Sequence, residues 1–186
     1  MKNENTFELQ NGVKIERAIE GDFVEVEKLL YETWLTTYPN SEFGITKEDI
    51  ETIFSEEEKK KQIEKHVAEF KKNLPNIHTF VAKKDGKVIG FCKIIEENDF
   101  YELDYLYVST DLQGQGIGTL LWKEAKKVFT NKNKKIILKV ISYNEKAIRF
   151  YKSLGFEVPE NSVISKDYQM PISKNYLPEI EMILKI

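Results

Sequence analysis

Gln113-Gly114-Gln115-Gly116-Ile117-Gly118-Thr119 is the stretch on which the fold turns. Upstream of it, residues 100–108 (Phe-Tyr-Glu-Leu-Asp-Tyr-Leu-Tyr-Val) are aromatic and apolar enough to read as a strand. Downstream, Leu120, Leu121, Ala125, Val128 and Phe129 recur at helical spacing. A glycine-rich loop between a strand end and a helix start gathers backbone N–H groups at the positive end of the helix dipole, which suits a pyrophosphate. Glycines let the backbone approach phosphate oxygens closely and tolerate positive φ.

Two familiar phosphate-binding patterns fail on this stretch. A dinucleotide fingerprint needs G-x-G-x-x-G, and here Thr119 stands where the last glycine belongs. The next strand, residues 135–141, also lacks a terminal acid for a ribose. A P-loop needs Gly-Lys-Ser/Thr, which is absent.

Working outward, residues 78–84 and 87–96 are strand-like and flank Asp85-Gly86, a dipeptide that fits a tight hairpin turn. With residues 100–108 they predict an antiparallel meander. Residues 135–141 follow a helix and should run parallel to 100–108 through a right-handed crossover. Residues 144–154 predict the next helix, stopped at Gly155, and 179–186 a final strand. Near the start, residues 13–19 predict a strand and Asp22 is placed to cap a helix carrying Phe23, Val26, Leu29, Leu30 and Trp34. Thr46 with Asp49, and Ser55 with Glu58, have capping-box spacing, the second opening a long charged helix that Pro75 stops. The expected organisation is a lead-in over residues 1–12 and one domain over 13–186.

The chain has 186 residues, 41% hydrophobic and 32% charged, which describes a globular protein with a single core. A net charge of −3 gives no basic surface for nucleic acid. No apolar run approaches the roughly 18 residues of a membrane span, so a cytoplasmic location is expected. Cys92 is the only cysteine, which excludes an internal disulfide, and its apolar neighbours suggest a small buried hydrophobe. No metal site is expected.

The loop Gln113-Gly114-Gln115-Gly116-Ile117-Gly118 resembles the acetyl-CoA loop Q/R-x-x-G-x-G/A of the GCN5-related N-acetyltransferase (GNAT) superfamily. Leu106-Tyr107-Val108 is similar to that family's cofactor-binding strand end. Residues 144–156 (Asn-Glu-Lys-Ala-Ile-Arg-Phe-Tyr-Lys-Ser-Leu-Gly-Phe) resemble its second signature. The resemblance implies an α/β (α+β) fold: a mixed, mostly antiparallel sheet flanked by helices, whose parallel strands 100–108 and 135–141 splay apart to admit pantetheine. It implies acetyl-CoA as cosubstrate and a primary amine as acceptor. Backbone groups of Leu106, Tyr107 and Val108 would pair with pantetheine. Residues Gln113, Gly114, Gln115, Gly116, Ile117, Gly118 and Thr119 would hold the pyrophosphate, and Asn144 would contact the cofactor or simply cap its helix.

An alkylammonium of pKa ~10.4 cannot attack a thioester until it loses a proton. By strand alternation Glu102 shares a face with Val108, and the family often has a catalytic glutamate at the matching position, so Glu102 is the candidate base. Asp104 shares that face and could replace it or bind a cationic acceptor; a water relay is the third option. Tyr151 corresponds to the tyrosine that commonly protonates the departing thiolate in the family, although an aromatic there also fits core packing. In the family the first helices and the last strands usually shape the acceptor pocket, so the resemblance implies Trp34, Tyr38, Phe43 and the tail around residues 168–176 there; these aromatics suit a hydrophobic core equally well, Trp34 above all. A homodimer is compatible with this reading. The competing class is a non-catalytic acyl-CoA-binding or protein-interaction module.

Overall fold

The computed structural model describes residues 7–8 and 12–186. Most of the expected lead-in therefore lies outside the described residues, but Phe7–Glu8 pairs with the following strand as a short edge strand, β1. The chain continues as β2 (Val13–Arg17), α1 (Phe23–Thr37), α2 (Lys47–Ile53), α3 (Glu56–Lys72), β3 (Ile77–Lys84), β4 (Lys87–Glu96) and β5 (Phe100–Val108). Then come α4 (Ile117–Ala125), β6 (Lys135–Ile141), α5 (Glu145–Ser153), β7 (Ser165–Gln169) and β8 (Tyr176–Lys185). Among the described residues the strands form one mixed sheet in the order β1-β2-β3-β4-β5-β6-β8-β7.

Local chemistry accounts for most boundaries. The Thr46 hydroxyl accepts from the Asp49 N–H, while the Asp49 carboxylate accepts from the Thr46 N–H, so α2 opens on a reciprocal capping box. Helix α3 starts at Ser55 and ends at Asn73 in a left-handed conformation, two residues ahead of Pro75. Asp22 behaves differently from expectation. It lies within a short 3₁₀ turn and does not cap α1; its carboxylate accepts from the Ile19 N–H and pairs with Lys83 at 2.7 Å. That turn also ends β2 at Arg17 rather than at residue 19. The tail holds two strands where one is expected, with β8 beginning at Tyr176 and β7 pairing along it. Strand β7 is largely exposed and polar, so it shows no burial periodicity to read.

The sheet separates two apolar layers. One packs α4 and α5 on the sheet through Ile117, Leu121, Trp122, Ala125 and Tyr151, against Leu103, Val108, Leu138 and Met182. The other packs α1 and α2 through Phe23, Val26, Leu30, Tyr38 and Ile50, against Val81, Phe91, Ile141 and Leu177. The feature that matters for function lies in mid-sheet. Strands β5 and β6 pair in parallel only over Phe100↔Lys135, Tyr101↔Ile136 and Glu102↔Ile137, then separate. Beyond Glu102, the edge of β5 facing β6 pairs with no strand among the described residues.

Candidate functional site

The separation of β5 from β6 opens a cleft of about 950 Å³. Its walls come from both layers: α1 on one side of the sheet, the loop before α4 and the start of α5 on the other, and the arms β5, β6 and β8 between them. Of the residues expected at a site, Trp34, Tyr38, Glu102, Asp104, Leu106, Tyr107, Val108, Gln113, Gly114, Gly116, Ile117, Gly118, Thr119, Asn144 and Tyr151 all line it. Gln115 is exposed and does not. Phe43 instead stacks on Tyr143 at 4.9 Å between ring centres, and the tail reaches the cleft with Leu177 and Glu179 rather than with residues 168–176.

On the α4 side the wall is mostly backbone. Gly114 and Gly116 have φ of 81° and 83°, where a side chain is strained, and a Cβ on either would meet nothing within 4 Å. Their peptides therefore border open space at the N-terminus of α4, as an anion cradle requires. A Cβ on Gly118 would come within 3.2 Å of the Phe150 ring, so glycine there lets α4 and α5 approach. The Gln113 side chain donates to the Val108 carbonyl at 3.1 Å, tying the loop to the strand end. The Asn144 side-chain oxygen accepts from the Ala147 N–H at 3.1 Å, so it caps α5 while lining the cleft. This loop and the free edge of β5 have room and donors for the pyrophosphate and pantetheine of coenzyme A.

On the α1 side the wall is side chains, and a bulge decides which ones. Strand β4 pairs with β5 as Ile95↔Glu102 and Ile94↔Leu103, but the next pair is Lys93↔Tyr105. Asp104 is thus an extra residue on β5, and the facing pattern inverts after it. Leu103 packs in the α4–α5 layer together with Leu106 and Val108, while Tyr105 and Tyr107 pack in the α1–α2 layer. Glu102 consequently does not share a face with Val108, contrary to simple alternation; it shares the α1-side face with Tyr105 and Tyr107. The inversion brings the Tyr107 hydroxyl to 3.0 Å from that of Tyr38. Tyr143 in turn donates to the Tyr38 carbonyl at 2.6 Å, which holds the end of α1 over the gap. The Trp34 indole N–H is buried without a hydrogen bond of good geometry, yet it lies close enough to Tyr107 to oppose the rise of that phenol's pKa.

The ionisable groups are not equivalent. Burial, then the charges of Asp104 and Glu97, raise the Glu102 carboxyl above its ordinary range. Asp104 is also raised by burial, but it is engaged, with Oδ2 3.2 Å from the Lys93 ammonium. Its side chain is reached by solvent through the cleft despite the dense protein around it. Tyr151, 9% exposed, lies on α5 near Tyr107 and Cys92, and burial pushes its phenol far up, so it keeps its proton at neutral pH. Glu179, which sequence reasoning missed, comes from β8 opposite Ile141 and is raised by burial. Lys139 also lines the cleft but is drawn outward by Asp167 at 2.9 Å. Nothing local marks Glu179 in the sequence, because its place depends on β8 pairing with β6. Among the described residues, no group of three or more His, Cys, Asp or Glu is placed to hold a metal, and no helix is long and apolar enough to cross a membrane.

The comparisons with known proteins agree with this geometry. Two curated relatives match in part: an uncharacterized N-acetyltransferase of Methanocaldococcus jannaschii, 36% identical over 89 residues, and a peptidyl-lysine N-acetyltransferase of Salmonella typhimurium, 30% identical over 104 residues. These stretches cover 44% and 55% of this chain, but only 39% and 64% of the relatives, less than two thirds of either. Among solved structures, the PaiA N-acetyltransferase of Thermoplasma acidophilum in complex with coenzyme A superposes with a TM-score of 0.68 at 23% identity, covering 94% of this chain and 99% of that one. The spermidine N-acetyltransferase of Vibrio cholerae in complex with CoA and spermine gives 0.61 at 22% identity, covering 93% and 95%. At those identities the likeness is one of fold. The sequence model of the Acetyltransferase (GNAT) family matches residues 30–156, from the cleft-lining turns of α1 through both separated strands to the end of α5. With more than half of its length matched, including every wall of the cleft except Leu177 and Glu179 of β8, this chain belongs to the GNAT acetyltransferase family.

Proposed function

We propose that this protein transfers the acetyl group of acetyl-CoA to a primary aliphatic amine by direct attack within a ternary complex. The carrying observation is the single cleft that joins a backbone anion cradle on the α4 side to an acidic and aromatic wall on the α1 side. Acetyl-CoA supplies an acetyl group activated as a thioester. The N–H groups of residues 113–119 hold the pyrophosphate, and the open edge of β5 from Leu106 to Val108 pairs with the pantetheine amides as a sheet edge pairs with an added strand. A backbone N–H near Val108 polarises the thioester carbonyl. Glu102 takes the proton lost by the amine, directly or through a water; its raised pKa and the lack of an ion pair to it among the described residues favour it over Asp104, whose carboxylate is held by Lys93. As the C–N bond forms and the C–S bond breaks, the Tyr151 hydroxyl gives its proton to the departing thiolate.

The acceptor half suits a cationic amine. Glu102 and Glu179 supply negative charge, and Trp34, Tyr38, Tyr105 and Tyr107 supply aromatic surface for an alkylammonium. The relatives described as acting on peptidyl-lysine and spermidine share that chemistry, a primary ammonium on an alkyl chain. Thiol release from acetyl-CoA, followed across polyamines, amino acids and lysine peptides, tests the proposal. Release that depends on the amine is expected. Binding of coenzyme A without release for any amine would instead identify a non-catalytic acyl-CoA-binding module.

A further inference from the structure

The lysine opposite the bulge enters the scheme above only as the partner of Asp104, yet its surroundings are unusual. Lys93 is 5% exposed, in the interior of β4. Its Nζ lies 3.1 Å from Glu69 Oε2 on α3 and 3.2 Å from Asp104 Oδ2, the extra residue of β5. Desolvating an ammonium is costly, and two carboxylates from different elements are what make it tolerable here. The triad therefore ties α3, β4 and β5 together where β5 changes face and parts from β6.

We propose that Lys93 is a positioning residue for the transfer reaction: it pins the bulge at Asp104 and balances that carboxylate, so that Glu102 two residues away remains available as a base. The proposal rests on the reading of Glu102 as base. The charges that face Glu102 are Asp104 on its own strand, Glu97 after β4, Lys139 on β6 and Lys93 on β4. Asp104 is faced by Lys93 and, from α3, by Glu69 and Lys65. His66, also on α3 and buried, is held near pKa about 4 by burial and by Lys93, so it adds no positive charge at neutral pH. Removing Lys93 leaves Asp104 facing Glu69 on one side and Glu102 on the other, with Lys65 near Asp104 and Lys139 near Glu102 as the remaining cations. A proton is then retained on the group of acids to higher pH.

The acid limb of kcat/KM against pH is the readout. In Lys93→Met the limb is expected to move up by about one pH unit, because a compensating cation is lost. In Asp104→Asn it moves down, because a neighbouring negative charge is lost. In the double variant the limb returns toward that of Asp104→Asn, the coupling expected of groups in direct contact. A merely structural lysine would lower the rate at all pH values without moving the limb. If Lys93→Met yields no folded protein, Lys93→Arg should keep the limb in place and Asp104→Asn should still lower it; an unmoved limb in Asp104→Asn overturns the proposal. Glu102→Gln separates the two readings. A limb that survives Glu102→Gln overturns the base assignment and this proposal with it, whereas a limb lost there but unmoved in Lys93→Met overturns only the role of Lys93.

Discussion

The two halves of the cleft are made of different material. The α4 side is built from one continuous run, β5 through α5, and presents backbone N–H groups, positive-φ glycines and a helix N-terminus. The α1 side gathers side chains from α1, β5, β6 and β8, and presents phenols and carboxylates whose ionisation depends on burial. A cofactor common to a family can be met by backbone chemistry, which tolerates change in neighbouring side chains. An acceptor peculiar to one member must be met by side chains, which can change without altering the fold.

The contrast can be broken by substitution on each side. Gly116→Val should weaken coenzyme A binding about 100-fold, equivalent to losing roughly 3 kcal/mol, because it places a branched side chain at φ 83° in the cradle. Calorimetric titration with coenzyme A measures this, and unchanged affinity would mean that the pyrophosphate is held elsewhere. Tyr151→Phe should lower kcat about 100-fold while leaving coenzyme A affinity as it is, since in the proposed mechanism the hydroxyl acts only as the C–S bond breaks. Unchanged turnover would remove Tyr151 from the chemistry. Glu179→Gln should raise the amine KM about tenfold with kcat and coenzyme A affinity little altered, the signature of lost acceptor binding alone. An equal effect on coenzyme A would erase the distinction between the halves.

The smallest effect concerns the α1 layer itself. Glu27 on α1 is 3% exposed, and burial raises its carboxyl to about 7, opposed in part by Lys59. A carboxyl whose folded pKa exceeds its unfolded one favours folding most below the unfolded pKa, and that contribution is lost as pH rises through about 7. Glu27→Gln should therefore stabilise the protein by about 1–2 kcal/mol at pH 8 and by almost nothing at pH 4, measured by urea unfolding. Equal gains at both pH values would show that Glu27 does not titrate in this window.

The α4 side of the cleft was legible because its signals are local. A strand end, alternating glycines and a helix start lie within about twenty residues, and the register of α5 follows from Asn144 and Gly155. The α1 side was legible only in part. Trp34 and Tyr38 could be named from their helix, but Glu179 could not, because its position is fixed by pairing with Ile141 across β6. Asp49 makes the same point outside the site. Its capping box with Thr46 is readable, whereas its second oxygen takes the backbone N–H groups of Ile172 and Ser173, bonds that fasten the β7–β8 turn to α2.

By itself the sequence determined the order of elements from β2 to α5, the glycine loop that opens α4 and the membership that follows from its two signatures, since each depends on residues near one another in the chain. Tertiary structure alone decided which face Glu102 shares, because one extra residue at Asp104 inverts the alternation and only the pairing with β4 reveals it. It also decided that Asp104 is bound to a buried lysine and that Tyr107 meets Tyr38. Strand periodicity carries a face only as far as the register is unbroken, and a bulge is a property of two strands rather than of one.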